Sequence, residues 1–95
     1  MEQKLEESKI REVLEKVATD QFGVDKAVLT DDADLINDVG GDSLDMVEFV
    51  MNTEEAFNVQ ISEEEAEMIR KYGDMIALLQ KKNEVKPLVI NANYK

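Results

Sequence analysis

Apolar residues recur along the chain with helical spacing. Ile10, Leu14, Val17 and Ala18 fall at i, i+4, i+7 and i+8, which puts them on one helix face. Phe22 extends the stripe and Gly23 supplies a natural stop, so a helix is expected near residues 8–22. Residues 24–42 hold no sustained period and are broken by Thr30-Asp31-Asp32, Asn37-Asp38 and Gly40-Gly41-Asp42. They read as a long loop anchored by Val24, Val28, Leu29, Leu35 and Val39. Long loops inside compact domains are often functional.

A second helix is predicted from Asp42-Ser43 to about Phe57. At about 100° per residue it carries two apolar faces. Met46, Phe49, Val50, Thr53 and Phe57 share one arc and form the inward face, with Thr53 its one polar member. Leu44, Val47 and Met51 form a stripe on roughly the opposite side, bordered by Asp45, Glu48, Glu54 and Glu55. Scattered exposed apolar residues are ordinary. Three at helical spacing inside a carboxylate rim suit a partner surface.

Ser62 with Glu65 fits a capping box, which starts a short third helix over Glu63–Ile69. Tyr72, Met75, Ile76 and Leu79 space as one face of a fourth helix, expected to end near Lys81-Lys82. Pro87 opposes helix continuation, and Leu88-Val89-Ile90 either docks on the domain or stays free of it. The sum is an all-α fold: a small four-helix bundle of three longer helices and one short one, with a long loop between the first two.

Composition removes several chemistries. The chain has 95 residues, with no cysteine and no histidine. Disulfides, thiolate metal sites and His-based acid–base or nucleophilic arrangements are therefore absent. A net charge of −11 makes nucleic acid an unsuitable partner. No apolar run approaches the ~20 residues of a membrane span. Met1–Glu7 resembles neither a signal peptide nor a transit peptide, so the expected compartment is the cytoplasm. The charge is also concentrated. Thirteen carboxylates and no basic residue fall within Asp31–Glu67, more than the whole net charge. Such a surface either keeps the protein soluble or draws in basic partners.

Gly40-Gly41-Asp42-Ser43-Leu44-Asp45 is the most informative stretch. One reading is structural: the glycines turn the chain, and Asp42 or Ser43 caps the helix. A hydrolase nucleophile fits poorly: it needs a nearby base and a G-x-S-x-G elbow, and the chain has no histidine. A third reading is an attachment point, because a serine hydroxyl beside unpaired first-turn amides suits a phosphate ester.

At this point the sequence resembles the acyl carrier proteins. Asp38-Val39-Gly40-Gly41-Asp42-Ser43-Leu44-Asp45 is similar to their D-L-G-x-D-S-L-D signature. Val47-Glu48-Phe49-Val50-Met51 with Glu54-Glu55-Ala56-Phe57 resembles V-E-L-V-M-x-L-E-E-x-F. Ile61-Ser62-Glu63-Glu64-Glu65-Ala66-Glu67 resembles I-P-D-E-E-A-E, and Phe22-Gly23-Val24 resembles L-G-V. The resemblance spans roughly residues 8–82, which sets a carrier-like domain at 1–82 and leaves a tail at 83–95 without a counterpart.

The resemblance implies a monomeric, non-enzymatic carrier. Ser43, flanked by Asp42 and Leu44, would bear 4′-phosphopantetheine donated from coenzyme A by a phosphopantetheinyl transferase. The imported thiol would hold acyl groups as thioesters, which accounts for a chain with no sulfur nucleophile of its own. Asp42, Leu44, Asp45, Val47, Glu48, Met51, Glu54 and Glu55 match the docking positions for basic patches on fatty acid synthesis enzymes. Met46, Phe49, Val50, Thr53, Ile69 and Ile76 are the expected lining of an acyl pocket.

Four departures stand out. Thr53 replaces a usual leucine; its hydroxyl either bonds back to the Phe49 carbonyl or shortens and polarises the pocket. Gly41 replaces a side-chain residue and is expected to loosen the turn before Ser43. Ser62 replaces a proline, and Tyr72 an aliphatic residue. With the tail, these leave two alternatives: a specialised carrier for polyketide, peptide or lipid-modification pathways, and an acidic calcium-binding or adaptor protein. The calcium loop pattern fails, because Asp32-Ala33-Asp34-Leu35-Ile36 puts Ile36 where a ligand is needed.

Overall fold

In a computed structural model, residues 4–93 are described. The first three residues of the Met1–Glu7 segment and the last two of the tail lie outside them. The elements run α1 (Glu7–Phe22), a 3-10 turn (Lys26–Val28), α2 (Ser43–Phe57), α3 (Glu63–Glu67) and α4 (Tyr72–Val85). Among the described residues there is no strand, only one isolated bridge between Asp34 and Lys71. Among the described residues no helix is long and apolar enough to cross a membrane.

The sequence signals act where expected. Gly23 ends α1 in the left-handed conformation (φ 66°), and its N–H bonds the Thr19 carbonyl. Ser62 Oγ accepts from the Glu65 N–H at 3.0 Å, while the Glu65 carboxylate accepts from the Ser62 N–H at 2.9 Å. That capping box is what lets a helix as short as α3 form. Lys82 then ties α3 to α4 through a 3.0 Å ion pair with Glu65. Backbone bonds and this lysine hold the Glu65 carboxyl below its ordinary range.

Helix α1 packs against both α2 and α4. Ile10, Leu14, Val17 and Ala18 are buried together with Phe49, Ala56, Phe57, Met75, Ile76 and Leu79. Phe22 and Phe49 stack in a tilted pair, their ring centroids 5.2 Å apart. Burying one such large apolar side chain contributes about 1.5–3 kcal/mol, so the core joining these three helices dominates stability.

Three expectations need correction. Val28 is no anchor: Asp25 caps the 3-10 turn by accepting from the Ala27 N–H, and Val28 is left exposed. Helix α3 stops at Glu67 rather than Ile69, where Met68 and Ile69 tighten onto the Glu65 and Ala66 carbonyls. Helix α4 passes Lys82 and runs to Val85. Nothing before Pro87 blocks it, and the residue preceding that proline, Lys86, is pushed to extended geometry (φ −145°, ψ 111°). The expected boundary at 82 therefore falls inside a helix. The segment beyond docks: Leu88 is buried, and the Asn91 N–H bonds the Ala56 carbonyl at 2.8 Å.

Candidate functional site

The approach to α2 is built by the long loop, which is pinned at both flanks. Arg11 on α1 grips Asp31 with a fork of two bonds, at 2.8 and 3.0 Å. The Asp31 and Ala33 carbonyls accept from the Gly73 and Tyr72 amides at the start of α4. Asp34 Oδ1 accepts from the Ile36 and Asn37 amides, folding a tight turn, while Arg70 Nε donates to Asp34 Oδ2 at 3.1 Å. These bonds hold both carboxyls below their ordinary range: Asp31 through Arg11, and Asp34 first through the Asn37 amide. Nearby Tyr72 is pushed up to about 12, chiefly by burial.

The turn then closes on Gly40 and Gly41. Gly40 has φ 90°, a conformation that favours glycine. The expectation that Gly41 loosens the turn is reversed. Gly41 is buried, and its N–H bonds the Leu35 carbonyl at 2.9 Å. A Cβ there would stand 2.6 Å from the Phe22 ring and 3.0 Å from the Leu35 oxygen. Glycine is needed so that backbone can press against the aromatic ring.

Asp42 takes the cap. Its Oδ1 accepts from the Asp45 N–H at 2.8 Å, and Asp45 Oδ2 accepts in return from the Asp42 N–H at 3.0 Å. Ser43 is thereby the first helical residue rather than the cap, and it is exposed. Its hydroxyl is not used by the capping box. Its amide and that of Leu44 have no carbonyl four residues upstream within the helix. The site therefore offers a free hydroxyl at the positive end of a 15-residue helix.

The stripe beside it is open to solvent: Leu44 is 63% exposed, Val47 55% and Met51 60%. The acidic residues around it divide into two kinds. Glu48 and Glu55 are exposed, whereas Asp42 and Asp45 are engaged in the cap. Glu54 is turned to structure, its carboxylate accepting from the Ile61 N–H at 2.7 Å.

A groove of about 480 Å³ opens between α2 and α3. Met46, Val47, Val50 and Met51 line one wall, and Ile61 and Ala66 contribute to the other. Of the six residues expected around an acyl pocket, Met46 and Val50 border this groove. Phe49, Thr53, Ile69 and Ile76 instead lie buried in the core. Thr53 Oγ1 donates to the Phe49 carbonyl at 2.7 Å, so its hydroxyl is satisfied within its own helix.

Gln21 was not singled out by sequence. From the end of α1 it donates to Asp45 at 3.3 Å and to Glu48 at 3.0 Å, and it accepts from Asn52 at 2.7 Å. One amide thus sets the register of α1 against the acidic face of α2. The signal was present: residue 21 follows Val17 by four, so a polar side chain sits on the inward stripe.

Residues 11–79 match the family described as "Phosphopantetheine attachment site". The acyl carrier protein of Solidesulfovibrio magneticus is 42% identical over 73 residues, covering 77% of this chain and 94% of that protein. That of Syntrophobacter fumaroxidans is 48% identical over 65 residues, covering 68% and 80%. A solved structure of an acyl carrier protein from Enterococcus faecalis superposes with a TM-score of 0.68 at 25% identity, covering 81% of this chain and 98% of that one. With four helices in the same arrangement and a family match over most of its length, the chain belongs to the acyl carrier proteins, whose cofactor is 4′-phosphopantetheine.

Proposed function

We propose that this protein carries acyl intermediates as thioesters on 4′-phosphopantetheine attached at Ser43, and delivers them to the enzymes of fatty acid synthesis. One observation carries the reading: Ser43 is exposed at the first position of α2 while Asp42 and Asp45 take over the capping. The hydroxyl a phosphodiester requires is therefore spared any structural duty. When bound, the group supplies a thiol on a long arm. The chain's own residues do the rest. Asp42 fixes the start of the helix, Gly41 sets the approach, and Leu44 flanks the attachment point. Met46 and Val50 border the apolar groove between α2 and α3, and Phe49, Thr53, Ile69 and Ile76 form the interior against which an entering chain would pack.

Leu44, Val47 and Met51 supply the apolar centre of a docking face, with exposed Glu48 and Glu55 at its rim to steer basic partners. Asp42, Asp45 and Glu54 add charge there while holding their structural bonds. The transferase that loads Ser43 is one such partner, and the synthesis enzymes are the others. The cytoplasm is the compartment proposed.

Intact mass after incubation with coenzyme A and a phosphopantetheinyl transferase tests the attachment. The expected result is a single phosphopantetheine on the wild type and none on Ser43→Ala, a complete loss. Equal loading of the two would refute the assignment of Ser43.

A further inference from the structure

The chain after α4 turns back across the bundle. Asn83, on the last turn of α4, is 93% buried and fastens two distant segments. Its Oδ1 accepts from the Leu5 N–H and from the Leu88 N–H, each at 3.2 Å, and its Nδ2 donates to the Leu5 carbonyl at 2.9 Å. From that clamp the strap Lys86–Asn93 crosses to the end of α2, where the Asn91 N–H meets the Ala56 carbonyl. Leu88 is buried and belongs to the same apolar core as Ala56, Phe57 and Leu79. On its other side the strap borders the α2–α3 connector at Asn58, Val59 and Gln60.

The position matters more than the contact. Ser43 stands at one end of α2 and the strap lies over the other, 15 residues or about 22 Å away along the axis. The groove bordered by Met46 and Val50 begins near the Ser43 end. An apolar chain entering there and following α2 passes Thr53 and then approaches the Phe57 end, where the Asn91–Ala56 bond ties down the strap that buries Leu88. Cores of this kind hold little spare volume, so a chain that reaches this end must displace something. Leu88 is held by one buried side-chain bond and a short extended segment, while Phe57 is held within a helix. Leu88 is the cheaper group to displace.

We infer that the C-terminal strap sets the length of acyl chain the bundle accepts, with Leu88 as the specificity-determining residue that stops the far end of the interior. This rests on the carrier reading above. Holo protein is loaded with hexanoyl, dodecanoyl or hexadecanoyl groups, and the rate of thioester cleavage by hydroxylamine is measured for wild type, Leu88→Val and Leu88→Ala. Hexanoyl release should be unchanged by either substitution. Release of the longer chains should slow in the order wild type, Val, Ala, by about fourfold for each further methylene sheltered. Leu88→Val removes a single methylene, so it keeps the test alive if the alanine variant does not fold. Circular dichroism of each apo protein separates loss of fold from altered shelter. Failure of Ser43 to load overturns the carrier reading and the inference with it. Normal loading with the same chain-length dependence in all three proteins overturns the inference alone, as does a uniform change across all three chain lengths.

Discussion

The two faces of α2 treat apolar side chains in opposite ways. On one face Leu44, Val47 and Met51 are left in water. On the other Phe49, Thr53, Ala56 and Phe57 are wholly buried, and packing holds the helix. One continuous helix thus joins an open apolar surface to an anchor that keeps that surface in place. Exposed apolar area is tolerated on one face because the other face stabilises the whole.

Paired truncations give the largest contrast. Phe57→Ala should cost about 3–5 kcal/mol of unfolding free energy, as expected for a buried aromatic. Met51→Ala, on the same helix but exposed, should change stability by no more than about 0.5 kcal/mol. Urea denaturation of both reads the difference, and equal costs would erase the distinction between the faces.

Gly41→Ala comes next. The added methyl meets the Phe22 ring and the Leu35 carbonyl, so about 1–3 kcal/mol should be lost. Ala at position 41 would also shift the Phe22–Phe49 pair, visible as perturbed ring resonances. A neutral result would mean that the turn relaxes freely, as the sequence alone suggested.

Glu48→Gln keeps an acceptor for Gln21 while removing a charge from the proposed docking rim. Association with a basic partner enzyme should slow severalfold at low salt and match the wild type at high salt. Stopped-flow kinetics at two ionic strengths decide it, and a salt-independent effect would remove steering from the account.

Acid should produce the smallest effect. Asp31 and Asp34 have folded pKa values below their ordinary 3.8, so protons bind the unfolded chain more tightly. Their contribution is present above pH ~4 and fades as pH falls through the lower folded values. Asp31 is exposed, and Asp34, though half-buried, pairs with an exposed Arg70, so the loss is local and modest. Hydrogen exchange near pH 3 should rise over residues 31–39 before it rises around Phe57.

Sequence reasoning read the helical skeleton well where one residue decides the outcome. Gly23 in α1 and Ser62 with Glu65 in α3 act locally, within four residues, as does the cap of α2, which the sequence left open between Asp42 and Ser43. The motif around Ser43 was legible for the same reason. What escaped depends on contacts between distant segments. Gly41 looked permissive because the Phe22 ring it touches lies 19 positions earlier in the chain. The partition of the pocket residues also escaped, since a helix wheel cannot separate a groove-lining Val50 from a core-sealed Thr53. Asn83 read as an ordinary polar residue past a helix end, although its partner Leu5 is 78 positions away. Glu54 was assigned to the rim on its wheel position, whereas the Ile61 amide draws its carboxylate into the connector.

The Asn83 clamp has a consequence for the topology of the chain. Leu5 and Leu88 share one amide side chain, so an early and a late segment of the fold are pinned together before the strap runs on to the end of α2. Both segments lie toward the end of α2 opposite Ser43, so fusions made at either end of the fold should leave the Ser43 end untouched. Copies joined in series that way would keep every Ser43 clear of the linkers, so that a partner meets several copies at high local concentration.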